Sequence, residues 1–202
     1  MNNFTTQATK QNLQEFEAWK LAAFTAAIAE RMFPNYALFS RVTETGNTDV
    51  LRMALDKVWE KLCQRGGKVN FETQLERVDA EVPDVSDYDM YGVYPALDAS
   101  VAVCAAITQM EQASAEEAEN IGQLSLESVA TYLEVIADPE LSDEELVRFI
   151  NTHELMDQEL EFQQQVFEQL RSIKTQQASM LDQLRQLAAN EGVSNIGICD
   201  DE

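Results

Sequence analysis

The segment from Pro95 to Gln112 is apolar on nearly every side when it is read at helical spacing. A helix of this kind has no face for solvent, so other helices or lipid must surround it. The segment contains Asp98 and Ser100 and is too short to cross a bilayer. It therefore predicts the central helix of a soluble bundle.

Helical periodicity continues through the rest of the 202-residue chain, which holds only seven glycines and four prolines. The pattern predicts one all-α domain over residues 1–202, a single-domain bundle of about seven to nine helices with a long C-terminal helix. The first helix is predicted from Thr9 to Met32, with Pro34 ending or bending it. Ser142 opens a capping box before another helix.

The C-terminal helix, predicted from Glu154 to Asn190, carries a heptad pattern. Val166, Ile173, Met180 and Leu187 recur every seven residues, and Leu170, Gln177 and Leu184 follow four residues later. This is the spacing of a coiled-coil seam. We expect the part from Ile173 to Leu187 to be exposed, and Ile173, Met180, Leu184 and Leu187 to be interface residues in a homodimer or with a protein partner.

The charge balance excludes several classes of partner. The chain has 36 acidic and 14 basic residues and a formal net charge of -22, so it repels nucleic acid backbones and anionic membranes. Three widely spaced cysteines form neither a disulfide framework nor a CxxC metal site. The polar stretch from Met1 to Gln14 lacks the pattern of a signal peptide. These features predict a cytoplasmic protein with free thiols and no membrane or nucleic acid partner.

The densest polar group lies where an acidic loop meets the apolar helix. It consists of Asp84, Asp87, Asp89 and Asp98 with Tyr88, Tyr91 and Tyr94. Pro95 suits the first helical position, which places Asp98 in the first turn, where the helix dipole favours a negative charge. Clustered carboxylates suit a divalent cation or a polar ligand. The alternative is a solvated loop in which Asp98 only serves the helix dipole.

A second polar group surrounds Pro34 and consists of Arg31, Asn35 and Tyr36. Arg31 either pairs with Asp98 in a buried network or holds the carboxylate of a ligand in a bidentate grip. Together with Tyr91, Tyr94 and Asp98, these three residues are the candidates for ligand binding.

No catalytic set is recognisable. His153 is the only histidine, and Asp157 stands where an HExxH zinc motif needs its second histidine. Acidic pairs such as Glu116 and Glu119 resemble those of the all-helical nucleotide pyrophosphohydrolases, but a chain this acidic produces them by chance. Phosphate-binding glycine loops and nucleophile elbows are absent. We therefore predict no catalytic residue, no metal ligand and no cofactor.

Four segments, spread over most of the chain, resemble one protein family. They are Glu30 to Phe39, Val69 to Glu76, Tyr91 to Ala99 and Ser194 to Ile198. In this order they are similar to segments of the YjaG-like bacterial proteins, a family of unknown function. The resemblance implies a single all-helical domain in a bacterial cytoplasm. It implies no activity and transfers no catalytic residue.

Two classes of function follow as expectations. The first is a non-enzymatic protein-binding module, which the acidity, the heptad pattern and the missing catalytic set favour. The second is a metal-dependent hydrolase or small-ligand-binding protein that uses the acidic loop and the start of the central helix, and it requires those side chains to converge around a cavity. A mimic of nucleic acid is a third hypothesis, which needs the acids to lie in a stripe.

Overall fold

The computed structural model describes residues 13–199, which contain eight complete α-helices and no strand. The helices are α1 (Ala18–Thr43), α2 (Thr48–Leu62), α3 (Phe71–Asp79), α4 (Val93–Gln109), α5 (Ala115–Ile136), α6 (Asp143–Asn151), α7 (Glu154–Ser172) and α8 (Ala178–Ala189). The all-α prediction is confirmed. None of the helices in this part of the chain is both long enough and apolar enough to cross a membrane.

The main core is built on α1 and α4, which share the most extensive helix–helix contact of the structure. Small residues line this contact, since α1 buries a run of alanines and α4 buries Ala96, Ala99, Ala102 and Ala106 completely. Small side chains allow two helices to approach closely. The predicted central helix therefore lies in the core. A second, smaller apolar cluster joins α5, α6 and α7 to the C-terminal tail.

Pro34 lies inside α1 and does not end it. A proline in a helix interior removes one backbone hydrogen bond and costs about 3 kcal/mol. Both flanks of Pro34 are anchored in the core, because Met32 and Tyr36 are almost fully buried. Of the two outcomes predicted at Pro34, an end of the helix is therefore wrong. The helix begins at Ala18, whereas the predicted start at Thr9 lies outside the described residues.

Capping residues set most of the helix starts. Asn47 caps α2, Asn70 caps α3, and Ser142 forms the predicted capping box with Glu145 at the start of α6. In contrast, α4 begins at Val93, two residues before Pro95. Asp98 therefore lies in the second turn, beyond the first-turn position that the sequence predicts.

The predicted continuous C-terminal helix is interrupted. The chain leaves helical geometry at Ile173, where α7 ends, and Gln177 is again extended before α8 begins. The interruption lets α8 fold back against α1, α2 and α7. As a result Ile173 and Leu184 are buried in the main core, and Met180 and Leu187 pack against it. The heptad positions therefore do not form the exposed seam that we expected.

The tail after α8 packs against the bundle, as its apolar residues predict. Ser194, Asn195 and Ile196 are each 2% exposed. The backbone N–H of Ser194 donates to the carbonyl of Ile198 over 2.8 Å, which closes a tight turn. Val193 and Cys199 form an isolated antiparallel bridge.

Candidate functional site

The six candidate ligand-binding residues lie in three places. The Nε atom of Arg31 is 3.8 Å from Oε2 of Glu159, so the predicted pairing of Arg31 with Asp98 is wrong. Asn35 donates through Nδ2 to Oδ1 of Asn195 over 2.9 Å. The hydroxyl of Tyr36 donates to the carbonyl of Glu81 over 3.0 Å. Asn35 and Tyr36 thus hold the tail and a loop against α1.

The other three candidates converge at the start of α4, where Tyr91, Tyr94 and Asp98 line a cavity of about 210 Å³. This cavity, which we call the α4–α5 pocket, is completed by Pro95, Leu124, Glu127, Ser128 and Thr131. Positions 124, 127, 128 and 131 follow helical i, i+3, i+4 and i+7 spacing, so one face of α5 forms the opposite wall. The sequence did not indicate these α5 residues, because only the packing of α5 on α4 brings them to Asp98.

Asp98 has the most perturbed carboxyl group of the α4–α5 pocket. Burial raises its pKa to about 6, and the neighbouring charge of Glu127 adds to the increase. The hydroxyl of Ser128 lies close enough to favour the ionised form and opposes this change. However, Ser128 Oγ is itself buried and completes no well-formed hydrogen bond within residues 13–199. Near neutral pH, Asp98 is therefore mostly ionised, and few neighbouring groups stabilise its negative charge.

Tyrosine rings form the outer part of the α4–α5 pocket. The ring centroids of Tyr91 and Tyr94 are 6.0 Å apart, and those of Tyr91 and Tyr132 are 6.2 Å apart. Burial, together with the charge of Asp98, raises the pKa of Tyr91 to about 12. Tyr91 therefore stays neutral. Tyr94 is 49% exposed, which is unusual for a large aromatic side chain and leaves it open to solvent at the rim.

The rest of the acidic loop does not join this pocket. Asp84 Oδ1 accepts hydrogen bonds from the backbone N–H and hydroxyl of Ser86 and caps a short 3₁₀ turn. Asp87 and Asp89 are exposed and do not line the cavity. Within residues 13–199, no group of three or more acidic, histidine or cysteine side chains is arranged to hold a metal ion. The convergence that a metal-dependent hydrolase requires is therefore limited to Asp98 and its α5 neighbours.

His153 has a structural position at the start of α7. Its Nδ1 accepts the backbone N–H of Leu155 over 3.1 Å, so it is the N-cap of the helix. Its ring also contacts the edge of Phe149 at a centroid distance of 5.2 Å.

Comparison with known proteins identifies the family. The family model described as "Protein of unknown function (DUF416)" matches residues 8–199. The chain belongs to this family. It is 36% identical over 187 residues to "Uncharacterized protein YjaG" of Salmonella typhimurium, covering 92% of this chain and 93% of that protein. It is 34% identical over 194 residues to an uncharacterised protein of Haemophilus influenzae, covering 93% and 95% of the two chains.

A solved structure shares the fold. The crystal structure of a DUF416 family protein from Shewanella baltica has a TM-score of 0.86 to this chain at 36% sequence identity. The match covers 96% of this chain and 99% of that one. The names of these DUF416 relatives include no activity.

Two of the segments that carry the family resemblance meet in this DUF416 chain. Asn35, from the first segment, and Asn195, from the last, are directly hydrogen-bonded although 160 residues separate them. Asn195 also donates to the carbonyl and the hydroxyl of Ser125 on α5. The segment Tyr91 to Ala99 contains Tyr91, Tyr94 and Asp98, the α4 residues that line the α4–α5 pocket. The resemblance therefore covers both a structural contact and the candidate site.

Proposed function

We propose that this DUF416 protein binds a compact organic cation, such as a small alkylammonium group, in the α4–α5 pocket. The observation that carries the proposal is the convergence of Asp98 and Glu127 with Tyr91 and Tyr94 around one cavity. Carboxylates attract an ammonium group directly, and tyrosine rings attract it through their negative faces when it lies within about 6 Å of the ring centre.

The size of the cavity supports a small ligand. Its volume of about 210 Å³ is below the roughly 300–1,000 Å³ of pockets that take drug-sized molecules. Leu124 and Pro95 supply apolar wall, which suits the methyl or methylene groups of an alkylammonium ion. Ser128 and Thr131 supply hydroxyls for a ligand that also carries a hydroxyl group.

The electrostatics favour a cation over a neutral ligand. Burial and the charge of Glu127 both disfavour ionised Asp98. A positive ligand between the two carboxylates would relieve that repulsion and lower the pKa of Asp98, so binding and ionisation are linked. A neutral ligand of the same shape does not relieve the repulsion between Asp98 and Glu127, so its binding is not strengthened in this way.

Calorimetric titration with choline tests the proposal, with the uncharged carbon analogue 3,3-dimethylbutan-1-ol as the ligand control. We expect choline to bind at least tenfold more tightly than the analogue, because only choline carries the charge. Asp98→Asn should weaken choline binding at least tenfold, and Tyr94→Leu by roughly two- to tenfold from the lost cation–π contact. Asp89→Asn, which changes an exposed loop carboxylate, should have no effect. Equal binding of choline and its analogue, or no binding of either, would overturn the proposal.

The same titration has a pH signature. Because the pKa of Asp98 is about 6, choline affinity should be constant above about pH 7. It should then fall by up to tenfold per pH unit below pH 6, as the free protein becomes protonated at Asp98. An affinity that is unchanged between pH 7.5 and pH 5 would exclude Asp98 as the partner of the cation.

A protein-binding role is a second candidate function, supported by exposed apolar side chains outside the heptad positions. Val135 and Ile136, at the end of α5, are 56% and 48% exposed, and Val147 on α6 is also exposed. Light scattering after gel filtration of the full chain and of a Val135→Glu/Ile136→Glu variant tests this role. A native dimer that the double variant dissociates supports a homodimer through this surface. A native chain that is monomeric at high micromolar concentration excludes the homodimer.

A further inference from the structure

A second cavity, of about 360 Å³, lies where α1, α7 and α8 meet. Arg31 reaches it from α1, and the remaining lining residues are Gln158, Glu161, Phe162, Gln165, Leu187 and Asn190. None of these residues lines the α4–α5 pocket. We call this cavity the Arg31 pocket, and its chemistry is independent of the cation site proposed above.

Arg31 is a buried cation without hydrogen-bond acceptors. The residue is only 7% exposed, and its Nε is fully buried without a hydrogen-bond partner. Within residues 13–199, none of its N–H groups donates a hydrogen bond that meets normal geometry. A guanidinium group carries five N–H donors, and buried polar groups in folded proteins are almost always paired. The Arg31 guanidinium therefore has donor capacity that no acceptor among residues 13–199 uses.

Glu159 forms an ion pair with Arg31 but accepts no hydrogen bond from it. Its Oε1 accepts hydrogen bonds from the hydroxyl of Ser125 and from Nε2 of Gln163, over 2.8 and 2.9 Å. Its Oε2 is 3.8 Å from Arg31 Nε, which is beyond hydrogen-bond distance, and remains unpaired. Desolvation raises the pKa of Glu159 and lowers that of Arg31. The charges of Arg31 and Glu159 therefore stabilise each other only in part.

The surroundings of Arg31 select the kind of acceptor. The guanidinium carbon lies 4.9 Å from the centre of the Phe162 ring, and this contact restricts the orientation of the group. A carboxylate binds a guanidinium edge through two parallel hydrogen bonds. Leu187 and Phe162 offer apolar wall for a short carbon chain, while Glu161 and the net charge of -22 disfavour a multiply charged anion.

From these observations we infer that the Arg31 pocket binds a small organic monocarboxylate, with Arg31 holding its carboxylate group. The cavity volume accommodates such a ligand, and amide side chains of Gln158, Gln165 and Asn190 lie around it. Binding would give the buried guanidinium the hydrogen-bond acceptors that Glu159, at 3.8 Å, does not provide.

NMR of the arginine side-chain Nε–H signals tests the inference, with propionate as the probe and propionamide as its uncharged control at constant ionic strength. We expect the Arg31 signal to shift in a saturable way with propionate and to stay in place with propionamide. The signal of Arg171 is an internal control. Arg171 also lies over a phenylalanine ring of α7, at 5.6 Å from Phe167, but it is exposed.

Variants make the test specific. Arg31→Lys keeps the charge but cannot form two parallel hydrogen bonds to a carboxylate, so it should weaken propionate binding at least tenfold. The control variant Arg171→Lys should leave propionate binding unchanged. Glu161→Gln removes a negative charge from the pocket and should strengthen binding about two- to fivefold, which keeps the test informative if Arg31→Lys does not fold. Asp98→Asn should not alter propionate binding, so failure of this site and failure of the cation site are distinguishable.

Two results would overturn the inference. One is an Arg31 signal that does not move with propionate in the folded native protein. The other is an equal response of Arg31 to propionamide, or of Arg171 to propionate, which would show that the buried guanidinium has no selectivity for a carboxylate.

Discussion

The buried carboxyl group of Asp98 destabilises the folded protein at neutral pH. This group has a pKa of about 6 in the fold against 3.8 for an unburied aspartate. A pKa raised in the folded state means that the native protein holds a proton which the unfolded chain has already lost. Stability therefore falls as pH rises from about 4 to 6, and the loss stays constant at higher pH.

We predict that Asp98→Asn stabilises the protein at neutral pH. The difference of about two pKa units corresponds to about 3 kcal/mol at pH 7.5 as an upper value. The gain in the free energy of unfolding should shrink to about 0.5 kcal/mol at pH 4, because Asp98 is then protonated in the native state and partly protonated in the unfolded chain. Urea unfolding at pH 4 and pH 7.5 measures it, with the exposed Asp89→Asn as control. Destabilisation by Asp98→Asn at pH 7.5 would contradict this account of the burial cost.

For individual residues, the sequence alone predicts the α4 wall of the α4–α5 pocket but not its α5 wall. Tyr91, Tyr94 and Asp98 were identified because they cluster at the start of an apolar helix. Glu127 and Ser128 were not, since they look like ordinary polar positions of α5 until the helix packs against α4. Arg31 was identified as a buried cation, but its partner was predicted incorrectly, because Glu159 lies far along the chain and has no local signal.

Between elements, Glu30 is the residue that joins α1 to α2. Its two carboxylate oxygens accept hydrogen bonds from Nη1 and Nη2 of Arg52 over 2.8 and 2.9 Å. Oε2 also accepts the indole N–H of Trp59 over 2.8 Å. Glu30 is 6% exposed, so three charge-assisted hydrogen bonds lie in a largely dry contact.

We predict that Glu30→Gln lowers the free energy of unfolding by about 3 kcal/mol, because it removes the buried charge that Arg52 and Trp59 contact and leaves Arg52 paired only with the more exposed Asp56. Asp182→Asn is the matched control. It breaks the bidentate pair between Asp182 and Arg65, which has the same geometry but is roughly half exposed, and it should cost less than about 1 kcal/mol. Chemical denaturation of both variants measures the difference. Equal costs would show that burial does not strengthen the Glu30 contact.

Helix starts were predictable from local chemistry, and helix continuity was not. Asn70 and Ser142 act over three residues, so their caps can be read directly from the chain. Whether α1 continues through Pro34 depends on tertiary packing on both sides of the proline. The break after Ser172 likewise depends on the space that α8 finds against α1 and α2, so the heptad pattern alone predicted one helix.

Across the whole molecule, the tail joins α1 and α5 through one side chain. Asn195 accepts from Asn35 and donates to the carbonyl and hydroxyl of Ser125, with distances from 2.9 to 3.2 Å. All of these groups are buried. The contact therefore fixes the relative positions of three segments that are far apart in the chain.

We predict that Asn195→Ala lowers the free energy of unfolding by about 1–3 kcal/mol, because it leaves Nδ2 of Asn35 buried and unpaired and removes the hydrogen bonds that Ser125 accepts from Asn195. Amide hydrogen exchange at Ser194 and Ile198 should accelerate, since the turn that they close loses its anchor. Asn151→Ala, at an exposed position at the end of α6, is the control and should change neither quantity. Unchanged exchange in Asn195→Ala would show that the apolar contact of Ile196 alone holds the tail.

The Asn35–Asn195 contact also sets an order of events during synthesis. A ribosome adds roughly 5–20 residues per second, so the 160 residues between the two asparagines correspond to about 8–30 s. Throughout that interval α1 exists without the partner of one of its buried polar groups. A nascent chain can thus assemble the apolar contact of α1 with α4 early, while the hydrogen bond of Asn35 must wait until Asn195 has been synthesised.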